Sequence, residues 1–254
     1  MKNKVIVSGC SYSAFIAGNA EIYPIILKRK YNYDVFNMAW SGQSNESIIK
    51  KIYDCIVNEN VKDSLIICQL TWLHRMGWYH SIVNRWVDYQ PKFIKTIPKY
   101  DTDTDLVSFK ISMDETFMEG GEEGKPKDFN KEDYRTLTNM YKTWLEYVYD
   151  EDAMFDYLMY KIDLLKTFVE SKGNKIKFIY WPDLTDNIKL QKLKNREFFN
   201  LENEYSMLRW STKNNLVDET SHLSDKGHEL FSGLINSNIE NEFNYLKNIN
   251  NSLI

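Results

Sequence analysis

Lys4-Val5-Ile6-Val7-Ser8-Gly9-Cys10-Ser11-Tyr12-Ser13 is the stretch whose reading decides the fold of this chain. A short run rich in β-branched residues that empties into Gly-Cys-Ser before a helical stretch predicts a buried central strand of an α/β sheet, with a small-residue turn at its C-terminal edge. Open α/β folds place their chemistry at that edge. Ser11 stands just past the strand, where a hydroxyl meets a ligand beside unpaired backbone N–H groups. Two readings are open for it: a nucleophile, or, like Ser13, a cap on the following helix.

The far end of the chain bears on that choice. Val217-Asp218-Glu219-Thr220-Ser221-His222-Leu223-Ser224-Asp225-Lys226-Gly227-His228 packs acids, a histidine and a helix-start signal together. With the early Gly9-Cys10-Ser11 and the late Glu219-Thr220-Ser221-His222, the chain resembles the SGNH/GDSL hydrolase family. That family places its nucleophile in a Gly-Asp-Ser segment after strand one and its acid and base in an Asp-x-x-His segment before the last helix. Asn37-Met38-Ala39-Trp40-Ser41-Gly42-Gln43-Ser44-Asn45 is similar to the block whose glycine N–H helps form the oxyanion hole. The resemblance implies a three-layer α/β/α, flavodoxin-like fold with a mainly parallel central sheet and a large insertion after strand three. It also implies Ser11 as nucleophile and His222 as base, with Glu219 as the acid that orients His222 and Asp218 as the rival acid. Ser11 and Gly42 would supply oxyanion N–H groups.

One block departs from the family. Members commonly carry Gly-x-Asn after strand three, whereas this chain reads Gln69-Leu70-Thr71-Trp72-Leu73-His74-Arg75. Gln69 is expected to point down the strand, so the third oxyanion donor is assigned to Thr71 or to the Asn45 carboxamide. Some members with a Gly-Cys-Ser first block are similar in having Ser-Asn after the block-two glycine and an arginine beyond strand three. Arg75, Trp72 and Tyr12 are the substrate-contacting candidates, with Arg75 as an anchor for an anionic or carbonyl-bearing group. The alternative for Arg75 is a solvent-facing residue paired with a nearby acid. That Gly-Cys-Ser subgroup includes many bacteriophage proteins, and the Asn, Lys and Ile bias suits an AT-rich genome.

Composition limits the alternatives. The 254 residues are enough for one large α/β domain, and 43% hydrophobic content is not that of a disordered chain. A formal net charge of -4, from 32 basic and 36 acidic side chains, gives no global case for a nucleic-acid partner. Cys10, Cys55 and Cys68 are odd in number and lack Cys-x-x-Cys spacing, which predicts reduced thiols and no cysteine-rich zinc site. Val7-Ser8-Gly9-Cys10 matches the residue types of a lipoprotein cleavage site. Only Val5, Ile6 and Val7 precede Ser8, too short an apolar region for secretion, so no signal peptide is expected. No stretch approaches the ~20 apolar residues of a membrane span. The expected location is cytoplasmic, or virion and host cytoplasm for a phage protein.

Along the chain, residues 14–29 carry a helical apolar pattern that Pro24 bends or interrupts, and 33–39 read as a second strand. Ser44 or Asn45 caps a helix to about Asn58 with Ile48, Ile49, Ile52, Tyr53 and Ile56 inside. Residues 64–70 give the clearest buried strand, and this βαβαβ order implies a parallel sheet. From about 78 to 150 the spacing departs from compact α/β. Trp78, Tyr79, His80, Trp86, Tyr89, Phe93 and Tyr100 precede an acidic stretch at 101–105, a short candidate strand at 107–111 and a Gly-rich turn at 118–127. We read this as an inserted subdomain or lid over the catalytic edge, or as a homo-oligomer surface. Helical periodicity returns from about 131 to 148 and over 152–171, where Met154, Leu158, Ile162, Leu165, Phe168 and Val169 form the stripe. Residues 175–181 make a fourth strand, 184–209 are polar and partly helical, and 214–217 are extended. His74, His80 and His228 lack the tight acid or thiol grouping of a metal site.

The whole is read as one domain over 1–254. Its expected activity is that of a serine esterase or deacylase on a small acyl ester, such as acetyl on a glycan, with no cofactor and no metal. The competing reading is a noncatalytic binding or structural protein, virion-associated, on the same fold.

Overall fold

A computed structural model describes residues 2–14, 21–80, 85–89, 140, 143–144, 146–218 and 222–252. Four strands form the central sheet: β1 (Lys4–Ser8), β2 (Asp34–Asn37), β3 (Ser64–Leu70) and β6 (Lys175–Tyr180). They lie in the order β2-β1-β3-β6, and every pairing is parallel. Val5, Val7, Leu65 and Ile67 are fully buried, as an all-parallel sheet covered on both faces requires. Isolated parallel bridges from Phe178 to Phe198 and from Tyr180 to Ser206 run an irregular segment beside β6, where a fifth strand would stand.

Helices α1 (Tyr23–Lys30), α2 (Asn45–Asn58), α3 (Glu151–Ser171), α4 (Asn187–Lys194), α5 (Met207–Lys213) and α6 (Asp225–Ser252) complete the described fold with a hairpin of β4 (Met76–His80) and β5 (Arg85–Tyr89). Helix α1 packs on α6, and α2 packs on α3, which gives the sheet its two covering layers. Ser44 starts α2 by accepting the Ser47 N–H at 3.2 Å, and Asp150 starts α3 by accepting that of Ala153 at 2.7 Å. Ile48, Ile52 and Ile56 turn inward from α2, and Phe155, Leu158, Ile162, Leu165 and Val169 from α3.

Several expectations shift in detail. The second strand is only Asp34–Asn37, because Met38 and Trp40 leave the ladder while still donating to Val7 O at 2.7 Å and Gly9 O at 3.0 Å. Tyr53 is half exposed and stacks on Phe168, so the inner face of α2 takes Cys55 in its place. Phe155 rather than Met154 heads the α3 stripe. The antiparallel hairpin at 76–89 was not legible as strands, since its aromatic clustering masked the period-2 pattern. Residues 90–139 lie outside the described residues, and with them the candidate strand at 107–111 and the turn at 118–127. Among the described residues no helix is long and apolar enough to cross a membrane.

The strand order places a topological switch at β1, whose chain neighbours β2 and β3 lie on its two sides. Ligands of open α/β sheets bind outside the carboxyl ends of the strands at such a point. Ser11, Gly42, Thr71 and Trp181 all follow the C-terminal ends of sheet strands.

Candidate active site

The turn after β1 is held from across the sheet. Gln69, the polar residue near the end of the otherwise apolar β3, turns its carboxamide into it. Its Oε1 accepts the Cys10 backbone N–H at 3.1 Å and the Ser13 hydroxyl at 3.1 Å, while its Nε2 donates to Leu70 O at 2.8 Å. The Ser13 hydroxyl in turn lies 2.7 Å from Tyr23 Oη. Gln69 therefore does not merely point down the strand, as the sequence suggested; it buttresses the segment carrying Ser11. Gly9 is required by the same close approach, because a Cβ there would sit 2.7 Å from Gln69 Oε1. The Asn37 carboxamide adds a tie from β2 by donating to Ser13 O at 2.8 Å. Ser13 and Ala14 both direct their N–H groups to Cys10 O, so the chain coils immediately past Ser11, which is 8% exposed.

His222 comes from a loop stitched shut at its base. Val217 bridges Leu223, Asp218 N donates to His222 O at 2.8 Å, and His222 N donates to Asp218 Oδ1 at 3.0 Å. Ser224 then anchors the entry to α6, accepting the Gly227 N–H at 3.2 Å while its hydroxyl donates to Leu216 O at 3.0 Å. Ser224 thus caps α6, the helix whose start signal the sequence carries at 217–228. The loop brings His222 Nε2 to 3.1 Å from Ser11 Oγ across 211 residues of sequence. The Tyr12 ring lies 4.6 Å from the His222 ring and stacks on Trp181 at 3.4 Å with 13° between planes. Burial, with a smaller contribution from Cys10, pushes the Tyr12 hydroxyl up to about 12, against the opposing charge of Arg75. Of the two acid candidates, Asp218 is engaged with the His222 backbone, and Glu219 lies outside the described residues.

Gly42 sits at φ +81°, a left-handed backbone that suits glycine and turns the chain from β2 toward α2. Asn45 and Thr71 form a reciprocal pair: Asn45 Oδ1 accepts the Thr71 N–H at 2.8 Å, and Asn45 Nδ2 donates to Thr71 O at 3.1 Å. That pairing leaves one N–H of the carboxamide for other work. Among the described residues the Thr71 hydroxyl is buried without a partner, as are Gln43 Oε1 and Arg75 Nε. All three belong to segments that follow strand ends. Natural interiors rarely tolerate such atoms, and a ligand edge is one reason they do. Arg75 is buried, not solvent-facing, and its Nη1 donates to Gln43 O at 3.4 Å.

The other histidines differ from His222. His228 is buried, its Nδ1 accepting the Tyr23 N–H at 3.3 Å, and burial leads the causes that bring it down to about 4. His74 is brought down to about 4 by burial and then by Arg75, and its ring lies 6.0 Å from that of Trp72. Among the described residues no group of three His, Cys, Asp or Glu side chains could hold a metal ion.

No family model and no curated protein matches the sequence. Among solved structures, the chain is similar to a protein of Desulfitobacterium hafniense DCB-2 assigned to the G-D-S-L lipolytic family. The two are 12% identical over 92% of this chain and 98% of that one, with a TM-score of 0.45. A likeness of that size says nothing about chemistry, so the site is read on its own geometry. Gln69, Gln43 and Trp181 were missed as site residues. For Gln69 a signal was present, a carboxamide at the edge end of a fully apolar strand; for Gln43 and Trp181 nothing in the sequence separated them from ordinary loop and core residues.

Proposed function

We propose that this chain is a serine hydrolase of the SGNH type that cleaves a small acyl ester at the C-terminal edge of its sheet. The observation that carries the reading is the 3.1 Å approach of His222 Nε2 to Ser11 Oγ at the strand switch point. In the proposed reaction His222 takes the hydroxyl proton as Ser11 Oγ attacks the ester carbonyl. The oxyanion that forms is met by the Ser11 and Gly42 N–H groups and by a side-chain donor from Thr71 or Asn45. Collapse of that adduct breaks the C–O bond to the alcohol, which leaves with the proton held by His222. Water then attacks the acyl-serine as His222 takes its proton, the acyl C–Oγ bond breaks, and His222 returns that proton to Ser11 Oγ as the carboxylic acid departs. An acid on the other ring nitrogen fixes the tautomer; Glu219 is the assignment and Asp218 the rival.

A small acyl group on a carbohydrate, acetyl first among the candidates, is the substrate we assign, with the segment at about 78–150 inserted in a single domain as a wall of the cleft or as an oligomer contact. No cofactor enters. The bias of the resemblance toward bacteriophage members suits a virion or host-cytoplasm setting.

Purified protein screened against short-chain aryl esters and acetylated sugars, with a serine-reactive phosphonate as probe, tests the reading. Ser11→Ala and His222→Ala should each lower kcat by about a thousandfold or more, and the double variant should cost little beyond either alone. Glu219→Gln should cripple kcat and Asp218→Asn should do much less. Melting temperatures recorded alongside separate lost chemistry from lost fold. A folded Ser11→Ala protein with wild-type turnover would overturn the mechanism, whereas the reverse order of the two acid variants would reassign only the acid.

The second reading, a noncatalytic binding protein on the same fold, draws on the Asn45–Thr71 pairing, which occupies one N–H of the carboxamide offered as the third oxyanion donor. Absence of phosphonate labelling together with absence of turnover would favour it.

A further inference from the structure

Two other bases largely shielded from water are matched with acids. Lys177 Nζ lies 2.7 Å from Glu197 and 2.9 Å from Glu242, and Lys189 Nζ lies 3.0 Å from Glu151 and 2.7 Å from Asp152. Arg75 is different. It is 5% exposed, its hydrogen bonding to described residues is one long contact to the Gln43 carbonyl, its Nε has no partner, and no described carboxylate pairs with it. A guanidinium held out of water without a counter-charge is strongly unfavourable, and five rigid donors make it selective for planar oxyanions.

Its surroundings are those of a receiving site. The Arg75 charge is felt at Tyr12, whose ring lies 4.6 Å from that of His222. Thr71, at the end of β3, holds a buried hydroxyl with no partner among the described residues, and Trp181 is stacked on Tyr12. The edge beside Ser11 thus holds unmatched donors in Thr71 and Arg75 and a positive charge that no described carboxylate compensates. We propose that Arg75 receives a carboxylate of the substrate, so that the esters taken by this site are those of acidic molecules, with the carboxylate on either the acyl or the alcohol part. This rests on the hydrolase reading for its ester, though not for its anion. A carboxylate fits better than a phosphate monoester because it matches the planar fork two bonds to two and brings one negative charge against one positive. A phosphate dianion would concentrate both charges on one centre against a single guanidinium in a site shielded from water, whereas a carboxylate brings one.

The test compares isosteric pairs on the full chain. In the acyl series these are 4-nitrophenyl glutarate monoester and its methyl ester; in the alcohol series, 4-acetoxybenzoate and its methyl ester. Wild type should prefer the acid of at least one pair by about tenfold or more in kcat/KM, mainly through KM. Arg75→Gln should bring that ratio near unity, and Arg75→Lys should keep part of it. Independently of turnover, sodium glutarate at constant ionic strength should raise the wild-type melting temperature, glutaramide should not, and the glutarate shift should shrink in Arg75→Lys. If Arg75→Gln does not fold, the wild-type pairs and Arg75→Lys decide. The proposal is overturned by wild type that shows no acid preference and no glutarate shift, or by a folded Arg75→Gln that keeps the preference. Inorganic phosphate that stabilises more than glutarate would overturn the choice of carboxylate. Should no ester of any kind be cleaved, the hydrolase reading falls, and the glutarate shift alone upholds or overturns the anion site.

Discussion

Gln69 fixes its own orientation and, through it, that of the turn. The Cys10 N–H demands an acceptor and the Leu70 carbonyl a donor, so one carboxamide orientation satisfies both ends. A carboxylate cannot. Gln69→Glu would set an acceptor oxygen against Leu70 O, favour the protonated acid and so raise the glutamate's folded pKa. Its stability is then lost as pH rises, and the deficit in melting temperature against wild type should shrink between about pH 7 and pH 5. A deficit that is flat or widens on acidification would show that the network does not read the carboxamide. His228 supplies the opposite sign. Buried and brought down to about 4, chiefly by burial, it stays neutral in the fold while an unfolded histidine titrates near ~6.5. The stability it contributes is present above that value and is lost as pH falls through about 4, on the order of 3 kcal/mol in full. Melting temperature against pH should therefore fall less steeply on the acid side in His228→Gln than in wild type.

At the level of the element, two short devices aim the site. The first is the close passage of Gly9 under Gln69, where an added Cβ has no room. Gly9→Ala should destabilise by about 1–3 kcal/mol, since the obstructing atoms belong to a side chain pinned by hydrogen bonds. The second is the start of α2. Ser44 caps the helix whose first residue, Asn45, grips the Thr71 backbone, so the cap also holds the end of β3. Ser44→Ala should cost about 1 kcal/mol in urea unfolding. If the Asn45 grip positions the oxyanion donor, the same variant should lower kcat more than it raises KM; equal turnover would confine Ser44 to a structural part.

At the scale of the whole molecule, the sheet joins pieces distant in sequence. Strand β3 pairs with β1 on one side and with β6 on the other, in register from Leu65 with Lys175 to Leu70 with Tyr180. A fragment ending at residue 75 would leave fully buried Leu65, Ile67 and Cys68 on an open edge. Expressed alone, residues 1–75 should lack cooperative melting by circular dichroism, and co-expression with 140–254 should restore it. Independent folding of the first fragment would break the sheet-wide unit.

What the sequence determined by itself was local. Four apolar positions in a row, as in 65–68, bury on both faces wherever they are placed, and a serine before Asn-Glu-Ser caps a helix by short-range hydrogen bonding; both were legible. The pairing in kind of Ser11 with His222 was suggested only by the resemblance of the first and last blocks to the SGNH/GDSL pattern. Their 3.1 Å meeting was not legible, since it depends on how a loop stitched by Asp218, Val217 and Ser224 is set against the end of β1. Tertiary structure alone decided that Gln69 serves the turn rather than the strand and that Arg75 lies buried with no acid among the described residues. A polar side chain's partner is chosen by what neighbouring strands bring within about 3 Å, and the sequence around it does not encode that distance.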